Sequence, residues 1–356
     1  MIVNGHLHFY VGTYTDSPSQ SQGIACVSLD TATGALTLTN ELVPDAVKTV
    51  RNPSYLALKG EGLYTFNEVD RLEGAKLIFA EKTDSYGLPI EGDYPCHIDI
   101  KEPLLAVANY GSGNVSVYQL DEQGKPLKSI AELYVEGNGP NIDRQTSPHA
   151  HQVTFLEHSA QLAVVDLGTD SVHFYDYDYD YDYDYDNDGE TVEFSLSQSI
   201  AMPAGSGPRH LIFNRDESVA YVVCELSETL VVLRKQSGQW NLAQQVKLLA
   251  DEENKEAASA IRLAADERFV YVSCRAQNLI NTFDVTSNTP VQIAASDCGG
   301  TFPRDFVLSR DGQWMLVANQ HSHNVASFHR NPETGVITPT GYSCDIGAPV
   351  CLVEKP

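Results

Sequence analysis

Basic side chains are scarce in this chain of 356 residues. It has 23 Lys and Arg residues against 48 Asp and Glu residues, which gives a formal net charge of −25 at pH 7. Such a surface repels polyanions, so nucleic acid and anionic membrane surfaces are poor partners. An anionic small molecule would need a local basic pocket set against this acidic background.

Features of several familiar protein classes are also missing. No apolar stretch is long enough to span a bilayer, and the N-terminus lacks the basic segment and apolar run of a signal peptide. The seven cysteines are scattered and form no CxxC pair, which favours free thiols in a reducing compartment. These observations predict a cytoplasmic protein. The motifs GxSxG, P-loop and HExxH are absent as well.

Long helical periods are scarce, and short alternating apolar runs separated by Gly, Asp, Asn and Ser turns take their place. Seven runs resemble one another and recur about every 40 to 60 residues, which is the period of a four-stranded propeller blade. Most follow a strand opened by proline and a tight polar turn. The runs are FYVGT (9–13), LYTFN (63–67), LAVAN (105–109), LAVVD (162–166), AYVVC (220–224), VYVSC (270–274) and MLVAN (315–319).

The two ends of the chain complete each other in this scheme. The first run has no preceding strand, and the last copy of the opening strand, GAPVCLVE (347–354), has no follower. Pairing the C-terminal strand with the N-terminal strands closes the ring and removes the open edge. The sequence therefore predicts an all-β, seven-bladed β-propeller of four-stranded antiparallel blades, with residues 1–356 as a single domain.

The most conspicuous segment is the alternation of tyrosine and aspartate from Tyr175 to Asp186. Strict alternation places all tyrosines on one face of a strand and all aspartates on the other. A straight strand does not converge its carboxylates on a cation, so a calcium site is not expected. The repeat begins in the third strand of a blade, and we interpret residues 175–188 as a low-complexity extension of that blade's outer edge.

Strand direction predicts where the chemistry lies. In an antiparallel hairpin, the start of the first strand and the end of the second lie at the same end, so all blades bring these positions to one mouth of the channel. Strand starts contribute His149, His151, Arg209, His210 and Arg304, and strand ends contribute Glu68, Asn109, Tyr110, Glu225, Arg275 and Asn319.

Three arginines converging on one mouth of an acidic protein indicate a small anionic ligand. His149 and His151 share a face of their strand, but no third metal ligand has a convincing spacing, so hydrogen bonding or acid–base chemistry is favoured and no metal is expected. Glu225 has either a catalytic role or the role of an ion-pair partner. Asn109 and Asn319 either contact the ligand or cap turns.

The sequence resembles the lactonase family of seven-bladed propellers at stretches that span the whole chain. These are YVGTYT (10–15), LYTFNE (63–68), LAVANYGSGNVSVY (105–118), SPHAHQ (147–152), LAVVDLGTDSV (162–172), GPRHLIF (207–213), FPRDF (302–306) and LVANQHSHNV (316–325). The resemblance implies hydrolysis of 6-phosphogluconolactone in the pentose phosphate pathway, without a cofactor. The chain departs from the family pattern at Cys224 and Cys274, where asparagine is frequent in the family. The Tyr–Asp repeat is not part of that pattern either.

By position, the resemblance implies a catalytic set of His149, His151, Arg209, Glu225 and Arg275. Substrate binding is expected from His210, Arg304, Asn109, Tyr110, Glu68 and Asn319. A histidine of SPHAHQ or Glu225 would activate water, one arginine would stabilise the oxyanion, and a second cation would hold a phosphate. Two alternatives stay open, a lactone-forming cyclase of the carboxymuconate type and a non-catalytic binding propeller.

Overall fold

Seven antiparallel sheets of four strands make up the structure, a computed structural model that describes residues 5–81, 84–178, 192–250 and 253–356. Blade 1 combines β28 with β1, β2 and β3, and the six other blades each use four consecutive strands. The first strands of neighbouring blades contact one another around a closed ring. The predicted all-β, seven-bladed propeller is therefore confirmed.

Each blade runs outward from a strand at the channel. The innermost strands are β28 (Pro349–Glu354), β4 (Leu56–Lys59), β8 (Pro95–Lys101), β12 (Ala150–Phe155), β16 (Pro208–Phe213), β20 (Ala258–Leu263) and β24 (Pro303–Leu308). The second strands contain the seven apolar runs and are β1 (His6–Thr13), β5 (Gly62–Phe66), β9 (Leu104–Asn109), β13 (Gln161–Asp166), β17 (Val219–Cys224), β21 (Phe269–Cys274) and β25 (Trp314–Asn319).

The outer half of each blade is less buried. The third strands are β2 (Ala25–Asp30), β6 (Lys76–Glu81), β10 (Val115–Leu120), β14 (Ser171–Asp178), β18 (Thr229–Gln236), β22 (Leu279–Asp284) and β26 (Asn324–Arg330). The fourth strands are β3 (Leu36–Leu38), β7 (Asp84–Pro89), β11 (Pro126–Leu133), β15 (Glu193–Ala201), β19 (Gln239–Lys247), β23 (Val291–Asp297) and β27 (Ile337–Asp345). The helices found are 3-10 turns at Asn40–Leu42, Asp45–Val47 and Arg71–Glu73, and none in the described ranges is long and apolar enough to cross a membrane.

Apolar side chains fill the spaces between blades. The described residues form seven buried clusters, and each is built from two adjacent blades. Between the fourth and fifth blades, for example, Phe174 stacks on Trp240 with ring centroids 5.5 Å apart. Because each of these clusters needs two blades, the described part of the ring is stabilised collectively and not blade by blade.

Ring closure depends on one pair of strands. The C-terminal strand β28 pairs antiparallel with β1, with Leu352 opposite Val11 and Glu354 opposite Phe9. Leu352 and Val11 also pack in the cluster between the first and seventh blades. The predicted completion of the first blade by the end of the chain is confirmed.

The Tyr–Asp repeat begins where the sequence placed it. Tyr175 to Asp178 end the third strand β14 and pair with β15, from Tyr175 opposite Leu196 to Asp178 opposite Glu193. Tyr175 is buried, whereas Asp176 and Asp178 are exposed, as alternation requires. Residues 179–188 of the predicted extension lie outside the described residues.

Removing residues 347–356 tests the closure. We expect aggregation or a fall in Tm of at least about 10 °C, since each kcal/mol lost shifts Tm by roughly 2–4 °C in larger domains and β1 would be left as an unpaired edge. Differential scanning calorimetry and size-exclusion chromatography measure both effects. The control lacks only Pro356, which lies beyond the strand. A truncated chain that melts like the full chain would contradict the closure.

Candidate functional site

A bulge recurs near the start of the innermost strands and shapes the mouth of the channel. The register against the second strand shifts between Ala150 and Gln152, between Pro208 and His210, and between Pro303 and Asp305. The unpaired residues at these shifts are His151, Arg209 and Arg304. A bulge re-aims the extra side chain relative to regular alternation. Strand direction brings these residues to one mouth, and the bulges add a local change of orientation.

Glu225, which directly follows β17, is the centre of an arginine cluster. Its Oε1 lies 2.7 Å from Nη2 of Arg144, and its Oε2 lies 3.1 Å from Nε of Arg209 and 3.0 Å from Nη2 of Arg275. The side chains of Arg209 and Glu225 are each 4% exposed and that of Arg275 is 9% exposed, whereas that of Arg144 is 34% exposed. We call these four residues the arginine cluster. Its three cations and one carboxylate leave two positive charges in excess.

The electrostatics of the cluster identify Glu225 as a stable anion. Burial by itself would raise its pKa, but the charges of Arg275, Arg209 and Arg144 outweigh burial and hold the pKa well below the usual range of a carboxyl group. Such a carboxylate is a weak base. Of the two roles that the sequence left open, the geometry favours that of ion-pair partner.

Arg209 has one buried nitrogen without an aligned acceptor. Burial, followed by the charges of Arg275 and Arg304, lowers its pKa to about 9, so the guanidinium remains charged at neutral pH. The Nε atom of Arg209 lies close to the Glu225 carboxylate, but its buried N–H is not aligned for a hydrogen bond with that or any other described acceptor. Buried donors in native proteins are nearly always paired. The buried charge of Arg209 is therefore only partly compensated by Glu225.

His149 lies beside the cluster and is held by Tyr110. Its Nδ1 is 2.7 Å from the carbonyl oxygen of Tyr110, and the two rings stack with centroids 4.6 Å apart. Because a carbonyl oxygen only accepts, Nδ1 carries a proton, and in the neutral ring Nε2 has the free lone pair. The Tyr110 hydroxyl is in turn 3.3 Å from Nη2 of Arg144. A possible proton acceptor is thus oriented next to the arginine cluster.

The other histidines of the channel are neutral. His151 and His210 meet edge to face with centroids 5.2 Å apart, and His97 follows 5.5 Å from His210. Burial, together with the charge of Arg209, lowers the pKa of His151 and of His210 well below the usual value. Below the mouth, a cavity of about 390 Å³ is lined by His97, His210 and Asp99 among others. Within the described ranges, no three His, Cys, Asp or Glu side chains form a group suited to a metal ion.

Arg304 lies on the opposite side of the mouth, together with Tyr14 and Glu68. Its Nη2 donates to the Tyr14 hydroxyl at 2.8 Å, and that hydroxyl donates to Glu68 at 3.0 and 3.1 Å from the two carboxylate oxygens. Among the described residues, no carboxylate lies within ion-pair distance of Arg304. This second group is nearly neutral as a whole, because Glu68 balances the arginine.

Two predicted ligand contacts take part in the blades instead. The Asn109 amide donates to Ser116 at 3.0 Å, and the Asn319 amide donates to the Cys298 carbonyl at 3.0 Å. Both side chains are fully buried and lie against a glycine of the loop that precedes their own blade, Gly92 or Gly300. The structure does not bring them into contact with the arginine cluster. The other predicted site residues, by contrast, lie around the mouth.

Arg144 and Tyr14 were not found by sequence reasoning. Tyr14 follows FYVGT as Tyr110 follows LAVAN, so the rule for strand ends would have included it. Arg144 lies in the loop before β12, where no periodicity predicts which side chain turns inward. Its only signal in the sequence is its position five residues before His149.

Replacing Glu225 by glutamine tests the cluster. We expect a loss of about 3–5 kcal/mol in the free energy of unfolding, because removing one partner leaves buried charges uncompensated. The loss should be constant from about pH 6 to 8, since a carboxyl with a depressed pKa stays ionised there and loses its contribution only as the pH falls through the folded pKa. Urea denaturation measures it. Glu333→Gln, at an exposed ion pair with Arg268, is the control and should cost under about 1 kcal/mol. Equal losses in the two variants would contradict a stabilising role.

Comparisons with known proteins agree with this architecture. The family model described as "Lactonase, 7-bladed beta-propeller" matches residues 8–354. The chain is 30% identical over 358 residues to 6-phosphogluconolactonase from Bacillus subtilis (strain 168), over 96% of this chain and 97% of that protein. It is 28% identical over 342 residues to 6-phosphogluconolactonase from Formosa agariphila, over 92% of this chain and 93% of that protein.

Solved structures show the same similarity. The periplasmic gluconolactonase of Pseudomonas aeruginosa superposes with a TM-score of 0.84 at 27% identity, covering 99% of both chains. A protein from Lactobacillus plantarum superposes with a TM-score of 0.85 at 27% identity, covering 99% of this chain and 100% of that chain. With a family model that matches nearly every residue and relatives aligned from end to end, the chain belongs to the lactonase family of seven-bladed β-propellers.

Proposed function

We propose that this chain hydrolyses a phosphorylated sugar lactone, 6-phospho-D-glucono-1,5-lactone, to 6-phosphogluconate. The observation that carries the proposal is the arginine cluster, which keeps two positive charges in excess at the mouth of an acidic protein, next to an oriented histidine. The names of the Bacillus and Formosa relatives support the same substrate. Hydrolysis of this lactone is a step of the pentose phosphate pathway, which is the role we propose.

His149 activates the water molecule in this mechanism. Its Nε2 takes a proton from water as the water oxygen bonds to the lactone carbonyl carbon, and the Tyr110 carbonyl stabilises the imidazolium through Nδ1–H. Arg209 stabilises the oxyanion that develops through its positive charge. The ring C–O bond then breaks, and the imidazolium returns its proton to the leaving oxygen. Glu225 holds the arginines in place and transfers no proton.

The remaining residues orient the sugar. Arg275 is fixed by Glu225 and by the carbonyl oxygens of Ala257 and Ala258, so it supports the positive potential at the carbonyl. Across the mouth, Arg304, Tyr14 and Glu68 offer donors and acceptors that suit the hydroxyl groups of a sugar. The neutral rings of His151 and His210 form the floor.

The cytoplasm remains our predicted location. All seven cysteines are free thiols, which suits a reducing compartment, although the similar Pseudomonas protein is a periplasmic gluconolactonase. We likewise propose that the Tyr–Asp repeat has no part in the reaction, because its described residues, Tyr175 to Asp178, lie in the third strand of the blade and away from the channel.

Turnover of freshly prepared 6-phosphoglucono-1,5-lactone tests the proposal. We expect purified protein to open the lactone well above the uncatalysed rate, with release of one proton per turnover followed in a weakly buffered assay. Catalysis in the ring-closing direction on carboxymuconate would support the cyclase alternative. Binding of 6-phosphogluconate without any turnover of the lactone would support the non-catalytic alternative.

His149→Asn tests the assignment of the base. We expect kcat to fall by about 10²- to 10⁴-fold, which is the usual contribution of a general base, while circular dichroism and Tm stay close to those of the unmodified protein. His158→Asn is the matched control, since that histidine lies after β12 at the opposite end of the strand and bonds to the Arg215 carbonyl. Unchanged kcat in His149→Asn would move the base to another residue.

A further inference from the structure

We infer that Arg144 is the ligand of the substrate phosphate and determines the preference for a phosphorylated lactone. This inference rests on the proposed function and deepens it. Arg144 comes from the long loop between β11 and β12, whereas Arg209 lies in β16 and Arg275 directly follows β21. The side chain of Arg144 is 34% exposed, while those of Arg209 and Arg275 are 4% and 9% exposed. The reacting carbonyl of the lactone would lie next to the buried arginines of the cluster. A phosphate at the far end of the sugar would then lie nearer the rim, beside the exposed Arg144.

The hydrogen bonds of Arg144 leave donors for a second anion. Its Nη2 bonds to both Glu225 and Tyr110, while Nε and Nη1 donate to no described protein atom. Because each two-point fork of a guanidinium includes Nη2, the free Nε–H and Nη1–H groups act as separate donors, and each can form a charge-assisted hydrogen bond with a phosphate oxygen. Since Arg144 and Arg209 contact the two oxygens of one carboxylate, they are close enough for a single hexose phosphate to span them.

The loop that carries Arg144 is fixed in place. The next residue, Gln145, is fully buried and donates to the Leu167 carbonyl and to Asp170, both at 2.8 Å. Asp170 also accepts from the backbone N–H groups of Gly205 and Gly207 at 2.6 and 2.7 Å. These bonds hold the loop against the segment that leads into β16 and Arg209. A preorganised side chain of this kind loses little entropy when it binds a ligand.

Arg304 is the competing candidate and is less suited to a phosphate. Its only described side-chain partner is the Tyr14 hydroxyl, which is also bonded to both oxygens of Glu68. A phosphate at Arg304 would therefore meet a group whose one arginine is balanced by Glu68, while at Arg144 it would meet the surplus positive charge of the cluster. Like charges in close contact are costly, so the local charge balance favours Arg144.

The experiment compares two substrates in four proteins. KM and kcat are measured with 6-phosphoglucono-1,5-lactone and with glucono-1,5-lactone for the unmodified chain, Arg144→Gln, Arg144→Lys and Arg234→Gln. The last variant is the matched control, because it removes the same charge from the far end of a third strand, where Arg234 bonds to the Asn288 carbonyl. Calorimetric titration with 6-phosphogluconate and with gluconate gives a reading of phosphate binding that does not require turnover.

We expect Arg144→Gln to raise KM for the phosphorylated lactone by about tenfold or more, the size of one lost charged contact, and to leave KM for the unphosphorylated lactone within about threefold. Arg144→Lys should recover part of the loss, and Arg234→Gln should change neither substrate. Weakened binding of 6-phosphogluconate, but not of gluconate, should accompany the KM effect.

Equal losses on both lactones in Arg144→Gln would overturn the inference, because they would mean that Arg144 acts only through Glu225. Unchanged kinetics and unchanged binding of 6-phosphogluconate would overturn it as well. If the unmodified chain opens neither lactone, the proposed hydrolysis fails, and the titrations still decide whether Arg144 binds a sugar phosphate.

Discussion

The inner edge of each blade is the constraint from which the site follows. An innermost strand pairs with a neighbour on one side only, and its other edge faces the channel with backbone groups that need partners. Side chains of the adjacent blade provide them: Asp99 accepts from the backbone N–H of Phe155 at 2.7 Å, and Asp305 accepts from that of Leu352 at 2.9 Å. Gln152 accepts in the same way from Leu211. A ring of this kind requires polar residues along its axis, so a polar channel is a consequence of closure.

The bulges place charged and polar side chains at the mouth of this channel. A regular first strand would alternate its side chains between the two neighbouring blades, and a cation near its start would face the apolar clusters there. At His151, Arg209 and Arg304 the extra residue has no partner in the register and departs from that alternation. Proline opens two of these strands and donates no hydrogen bond, which is compatible with a ladder interrupted at the next residue. The same local irregularity therefore recurs in blades that contribute to the site.

These features explain what the sequence could predict. LAVAN and MLVAN form second strands because runs of small apolar residues suit a strand that is buried on both faces. GAPVCLVE completes the ring because the open edge of β1 needs a partner strand. Arg209 and Glu225 could be placed at the mouth from strand direction alone. The bulges could not be predicted, since an extra residue is visible only in the register between strands. Arg144 lies in a loop without periodicity. Asn109 lies at a strand end, where a ligand-binding residue would be expected, but its side chain turns into its own blade.

Three guanidinium groups that lie close together repel one another. In the absence of ligand, Glu225 reduces this repulsion, because its carboxylate neutralises one charge and binds Arg144 through one oxygen and Arg209 and Arg275 through the other. The excess positive charge of the cluster acts only locally, since charges beyond a Debye length of about 8 Å are largely screened at physiological ionic strength. The chain as a whole carries a net charge of −25. An anion is therefore repelled by the surface and attracted only once it is at the mouth. A small anion such as the proposed sugar phosphate would meet the arginines alone, whereas a long polyanion would contact many surface carboxylates for each arginine. The charge distribution therefore favours anions that are small.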